Sequence, residues 1–148
     1  MSVNSYIDKG YNAWNAYRKM RSSEAIVIEH GNFSNRQYSK YNFSHCTFKN
    51  CSFKTADFSG ADFSQSTFER CIFDKTNFSG ANFSGTKISG HKISDCHFSG
   101  VTAPNFSIQN CDVENGKFRE ANLSKSCFDG TTFIDTDFGK SNAKRLDI

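Results

Sequence analysis

Proline is nearly absent, with Pro104 the single example in 148 residues. A chain so poor in proline keeps its backbone donors, which suits a fold that pairs backbone on both sides of most segments. Long apolar runs are missing too. No stretch reaches the length of a membrane-spanning helix, and Met1 opens no secretory signal. Neither sign of charge prevails: 18 Lys and Arg stand against 15 Asp and Glu, a net +3. The lysines are scattered among acids, so no basic stripe for nucleic acid forms. No G-x-S-x-G, metalloprotease or phosphate-loop pattern occurs. These absences leave neither an enzyme nor a cofactor-binding protein as the expectation.

What is present is phenylalanine, 16 copies of it, at a period that fits no ordinary element. Every fifth residue reads Phe33, Tyr38, Phe43, Phe48, Phe53, Phe58, Phe63, Phe68, Phe73, Phe78, Phe83, Ile88, Ile93, Phe98, Ala103, Ile108, Val113, Phe118, Leu123, Phe128, Phe133, Phe138, Ala143 and Ile148. Fifteen of the 16 Phe fall in this register, where chance would put about three. Phe106 alone strays.

A continuous strand would send residues five apart to opposite faces, and a helix would carry them right round its axis. The solution left is a chain that turns a corner once per five residues, with every Phe pointing to a common interior. The residue two before each Phe is usually small, as at Cys46, Cys51, Ala56, Ala61, Ser66, Cys71, Thr76, Ala81, Thr86 and Cys96, and forms a second inward slot. The residue two after is Gly, Asn or Asp in 13 of 23 cases from Asn35 to Arg145. Those types best tolerate the positive φ of a turn.

The units "ADFSG", "TNFSG", "ANFSG" and "ANLSK" resemble the A-(D/N)-(L/F)-x-x repeat of pentapeptide-repeat proteins, over roughly residues 26–148. The resemblance implies an all-β solenoid: a right-handed quadrilateral β-helix with four pentapeptides per coil. About six coils are expected, a rod roughly 30 Å long at the spacing of paired strands. Twenty residues per coil stack 38, 58, 78, 98, 118 and 138 into one aromatic column. Residues 1–25 lack the repeat and are read as an N-terminal capping helix, with Ile7, Tyr11, Trp14 and Tyr17 on its apolar face and Ser2 or Ser5 at its start. The basic residues Lys9, Arg18, Lys19 and Arg21 fall mostly off that face. "KGYNAWNAYR" is similar to the G-x-x-x-W-N-x-W-R opening of bacterial members of the family, with Tyr17 where the second Trp usually stands. Residues 26–148 form the repeat domain.

Five of the six cysteines, Cys46, Cys51, Cys71, Cys96 and Cys111, occupy the small inward slot; Cys127 does not. Reduced, buried thiols in a cytoplasmic protein are expected. Cys51, Cys71, His91 and Cys111 share one column and are zinc ligands by type, yet a straight ladder of coils cannot surround one ion tetrahedrally. His91 is a bulky intruder in a slot suited to alanine. Asn42, Asp62, Asn82, Asn122 and Asn142 share an outward column and suggest a side-chain hydrogen-bond ladder. Around "VTAPNFSIQ" the count stays in step, and a local bulge is expected to let Phe106 fill the space that Ala103 leaves.

The outward columns are bland. Ser39, Ser59, Ser79 and Ser99 stack on one face and Ser44, Ser64 and Ser84 on another, with Ile72 and Ile134 the clear outward aliphatics. Such faces suit contact with an unidentified protein partner. The last coil has no cap, and its Ala143, Leu146 and Ile148 form the expected seam of a homodimer. Family members that shield DNA gyrase from quinolones are usually explained by an acidic rod that mimics DNA. Here residues 31–148 hold 14 basic and 12 acidic residues, and the unbroken count leaves no room for projecting loops. A rigid protein-interaction module is therefore the first expectation, and a topoisomerase-protection or toxin-immunity protein the alternative.

Overall fold

A computed structural model describes residues 2–147. Two short helices come first, α1 (Val3–Asp8) and α2 (Tyr11–Met20). Nine short strands follow: β1 (Ile26–Glu29), β2 (Cys46–Lys49), β3 (Thr67–Glu69), β4 (Phe73–Asp74), β5 (Lys87–Ser89), β6 (Lys92–Ser94), β7 (Ser107–Gln109), β8 (Asp112–Glu114) and β9 (Thr132–Ile134). They form two parallel sheets, ordered β1-β2-β3-β5-β7 and β4-β6-β8-β9. Among the described residues every strand pairing joins residues twenty apart, beginning with Ile26↔Cys46 and Phe48↔Phe68. One column runs Val27, Thr47, Thr67, Lys87, Ser107, Cys127 and Asp147 without a slip. The chain is a parallel β-solenoid.

The corners make the period of five. At every fifth residue from His30 to Arg145 the backbone adopts positive φ, between 49° and 72°, and 18 of these residues are not glycine. A side chain there costs of order 1–3 kcal/mol, and Thr55, β-branched at φ 54°, is the least suited of them. The rings answer that cost. Phe43, Phe63 and Phe83 stack in one column at 5.5 and 5.3 Å, and Phe58, Phe78, Phe98 and Phe118 in another at 4.7–5.8 Å. Each full burial contributes roughly 1.5–3 kcal/mol. From Phe33 to Phe128 the ring positions are buried; Phe133 and Phe138 are only partly so.

Two expectations about local shape need correction. The capping helix is not continuous: Gly10, at φ 97°, ends α1 and starts α2, because the chain must turn there to lay α2 across the first coil. Ser2 precedes α1 but its side chain makes no capping bond. The second correction is at Ala103–Phe106, where no bulge occurs. Asn105 takes the same φ as other corners and Thr102 pairs in register with Asn82 and Asn122. Phe106 is fully buried in its slot and stacks on Phe83 at 5.1 Å, where the column above Phe83 carries only the methyl of Ala103.

Candidate functional site

The residues able to do chemistry lie in the inward slots, and their roles follow from the corner before each slot. At most corners the slot N–H closes a tight turn onto the ring residue three back, as in Ala56→Phe53 at 3.1 Å and Ala81→Phe78 at 3.0 Å. Where a strand runs into the corner, at β1, β2, β3, β5 and β7, the next slot N–H points along the rod instead. There it needs an acceptor from the following coil. Cys71 N–H donates to His91 Nε2 (2.8 Å), His91 N–H to Cys111 Sγ (3.4 Å), and Cys111 N–H to Thr131 Oγ1 (3.4 Å). The N–H groups of Gly31 and Cys51 likewise face the thiols of Cys51 and Cys71. This accounts for His91, whose ring fills a slot where alanine would leave a buried donor unpaired.

The column that looked like a zinc set is thus an acceptor ladder. Its thiols also donate, Cys51 Sγ to Ile28 O (3.4 Å) and Cys71 Sγ to Phe48 O (3.5 Å). Among the described residues no three His, Cys, Asp or Glu side chains are placed to hold a metal ion. All six cysteines are free. Burial pushes the Cys46 and Cys96 thiols up to about 12 and raises Cys111, while the hydrogen bond with Cys51 and burial raise Cys71. Thiols so shifted are poor nucleophiles. Burial also lowers the His91 imidazole, and its Nδ1 finds no hydrogen-bond partner among the described residues.

The outward Asn and Asp residues act mostly within their own turns. Each side-chain oxygen accepts the N–H two residues on: Ser44 to Asn42 (3.0 Å), Ser64 to Asp62 (2.9 Å), Ser84 to Asn82 (3.0 Å). Links between coils exist, such as Asn142 Nδ2 to Asn122 Oδ1 at 3.4 Å, but the ladder is secondary to the turns. The Asp137 carboxyl is held below its usual range by the Gly139 N–H and by Arg119.

The cap uses its conspicuous residues to satisfy the exposed edge of the first coil. Trp14 Nε1 donates to Asn42 O at 2.7 Å, and Asn42 N–H donates to Asn15 Oδ1 at 2.9 Å. Arg18 is fully buried, donating to Ser44 O (2.8 Å) and Glu24 O (3.2 Å). It therefore does not face solvent, contrary to what its place off the apolar face of the helix suggests. Ile7 is buried and Tyr17 partly so, whereas Tyr11 is 46% exposed and lies edge-on to Tyr41. The G-x-x-x-W-N-x-Y-R run supplies a hinge, two edge partners and a buried cation. At the other end Ala143 is exposed and Leu146 half-buried; Ile148 lies outside the described residues.

Among known families, the one described as "Pentapeptide repeat region" matches residues 28–98, and "Pentapeptide repeats (8 copies)" matches 107–142. The chain is a pentapeptide-repeat protein. Among curated proteins none matches it. Among solved structures this pentapeptide-repeat protein is similar to trypsin-treated QnrB1, a plasmid-mediated fluoroquinolone resistance protein, with TM-score 0.56 and 21% identity over 81% of this chain. The match spans 64% of that QnrB1 chain, less than two thirds of its length. Full-length QnrB1 gives TM-score 0.54 and 19% identity, covering 81% of this chain and 76% of that one. Rfr23 from the cyanobacterium Cyanothece 51142 gives TM-score 0.31 and 12% identity, covering 90% and 92%. At these identities the likeness to QnrB1 is one of fold.

Proposed function

We propose that this is a non-enzymatic bacterial protein of the cytoplasm, a rigid rod that presents its surfaces to a protein partner and pairs with a second copy through its last coil. One observation carries the reading. The thiols, the imidazole and the buried cation are committed to holding coils and cap together, and what remains outside is a set of flat, weakly charged faces. Flat faces of this kind suit contact with another folded surface more than steering of a small ion. The half-buried Phe133, Phe138 and Leu146 at the C-terminal end support pairing between copies. Photo-crosslinkers placed singly at Ser59, Ser79, Ile72 and Thr67 test the module: crosslinks to one protein from one face are expected. Equal, weak labelling of many proteins from all four positions would sink it.

The likeness to QnrB1 favours a second reading, protection of a topoisomerase, with toxin immunity as its variant. The net charge of +3 speaks against mimicry of DNA. Supercoiling by gyrase with and without a quinolone, at rising protein concentration, separates the readings. Under the first, the protein leaves quinolone inhibition unchanged.

A further inference from the structure

The inner side of α2 is occupied by the first coil, through Trp14, Asn15 and Arg18. Among the described residues no coil covers its outer side. Ala13, Ala16 and Met20 follow one another there at helical spacing, and Met20 is 83% exposed. Tyr6 of α1 stacks on Tyr17 at 4.4 Å and makes the opposite wall. Between them lies a shallow groove of about 430 Å³. Cations mark its rim: Lys9 lies 5.9 Å over the Tyr6 ring, and Arg21 4.6 Å over Tyr17. Lys19 is exposed on the same helix, and α2 contains no acidic residue.

We propose that this groove docks an amphipathic helix of a protein partner, apolar on the inserted face and acidic beside it. The proposal rests on the interaction-module reading and gives that module a place and a chemistry. The floor of two alanines lets a second helix approach closely, within the 8–10 Å of packed helices. Met20 supplies an unbranched, adaptable contact of the kind used on peptide-binding surfaces. The stacked tyrosines are already ordered, so little side-chain freedom is lost on binding. Charge decides the occupant. Glu24 pairs with Arg21 (3.3 Å) and Asp8 with Arg36 (3.5 Å), and with Lys9 and Lys19 beside them the cations at the rim outnumber the acids. A second copy of this chain is disfavoured there, because a two-fold contact would set Lys9, Lys19 and Arg21 against their own images.

The test uses the full chain and a phage-displayed library of randomised helical peptides, about 16 residues or four turns long. Enriched peptides are expected to carry Leu, Ile or Met at i, i+3 or i+4, and i+7, flanked by Asp or Glu. Their affinity should fall at least ~10-fold, or ~1.4 kcal/mol, in Ala16→Glu and Met20→Glu. Both positions point to solvent, so the melting temperature of each variant should match the parent. Rising salt should weaken binding. Selection of basic peptides, or of none, overturns the proposal. Peptides that bind both variants as well as the parent also overturn this site, while leaving the module itself standing on its crosslinks. Anionic vesicles of phosphatidylserine that bind the parent but not Met20→Glu would assign the groove to a membrane surface instead.

Discussion

The two ends of the rod are built from one repeat and meet opposite fates. At the N-terminal end, Phe43 lies under Trp14 at 5.4 Å and is fully buried. At the C-terminal end, Phe133 and Phe138 hold the same place in the repeat but are only partly buried, Leu146 is half-buried and Ala143 is exposed. Burial in this fold is therefore not a property of the pentapeptide. Each coil depends on its neighbour, and the cap acts as a neighbour of different construction.

The sharpest way to break that comparison is to remove the same kind of bulk from each end. Trp14→Ala should cost ~3–5 kcal/mol, because its void lies between α2 and Phe43 and an edge carbonyl loses its donor. Phe138→Ala should cost less than half of that. Denaturant unfolding of the two variants decides it, and equal costs would mean that the ends are alike. Arg18→Met keeps the length of the side chain but strips Ser44 O and Glu24 O of their donor; a loss of ~1–3 kcal/mol is expected. Were Arg18 merely a surface cation, thermal melts would show no change.

Acid probes the coils between the ends. Burial holds the His91 imidazole below its ordinary value of 6.5. As pH falls through about 6.5 the unfolded chain takes up this proton first, so stability is whole above that value and drains below it. The drain is at most ~1.4 kcal/mol per pH unit and stops once the folded ring protonates too. His91→Thr keeps an acceptor for the Cys71 N–H and should flatten that part of the pH profile, as read by chemical denaturation at pH 7 and 5.5. The smallest change in stability belongs to Leu146→Arg. It should shift the melt by no more than ~0.5 kcal/mol and yet turn a dimer into a monomer in sedimentation. A parent protein that is monomeric into the high micromolar range would end the pairing idea.

The repeat itself was legible because its signal is a period: a ring every fifth residue and a turn-tolerant residue two positions later need no knowledge of neighbours. The slots were not. Whether Cys71 needs His91 above it depends on the corner at Arg70, where a strand runs in and no tight turn closes, and nothing in five residues of sequence announces that. In hindsight the four alanine slots, Ala56, Ala61, Ala81 and Ala121, each follow a hydrogen-bonded turn, while Cys51, Cys71, His91 and Cys111 each follow a strand corner. The break at Gly10 was hidden by Ile7, Tyr11 and Trp14, whose helical spacing runs straight across it. Arg18 was misread because a cation off the apolar stripe ordinarily faces water; its partners are backbone carbonyls, which leave no mark in the sequence. The groove on the cap went unseen for a similar reason, since Ala13, Ala16 and Met20 look like filler until their neighbours are known.

Trp14 is the one tryptophan in the chain, sealed in the interface between α2 and the first coil. Nature has thereby placed a single optical reporter at one pole of the rod. Its emission follows the cap and the first coil alone, while the far-ultraviolet circular dichroism signal follows every coil. If the solenoid melts as one body the two curves will superimpose; if it frays from the C-terminal pole, the dichroism will begin to fall while the tryptophan is still blue-shifted. The offset between the curves measures, in one sample and without any label, how far cooperativity travels along the rod.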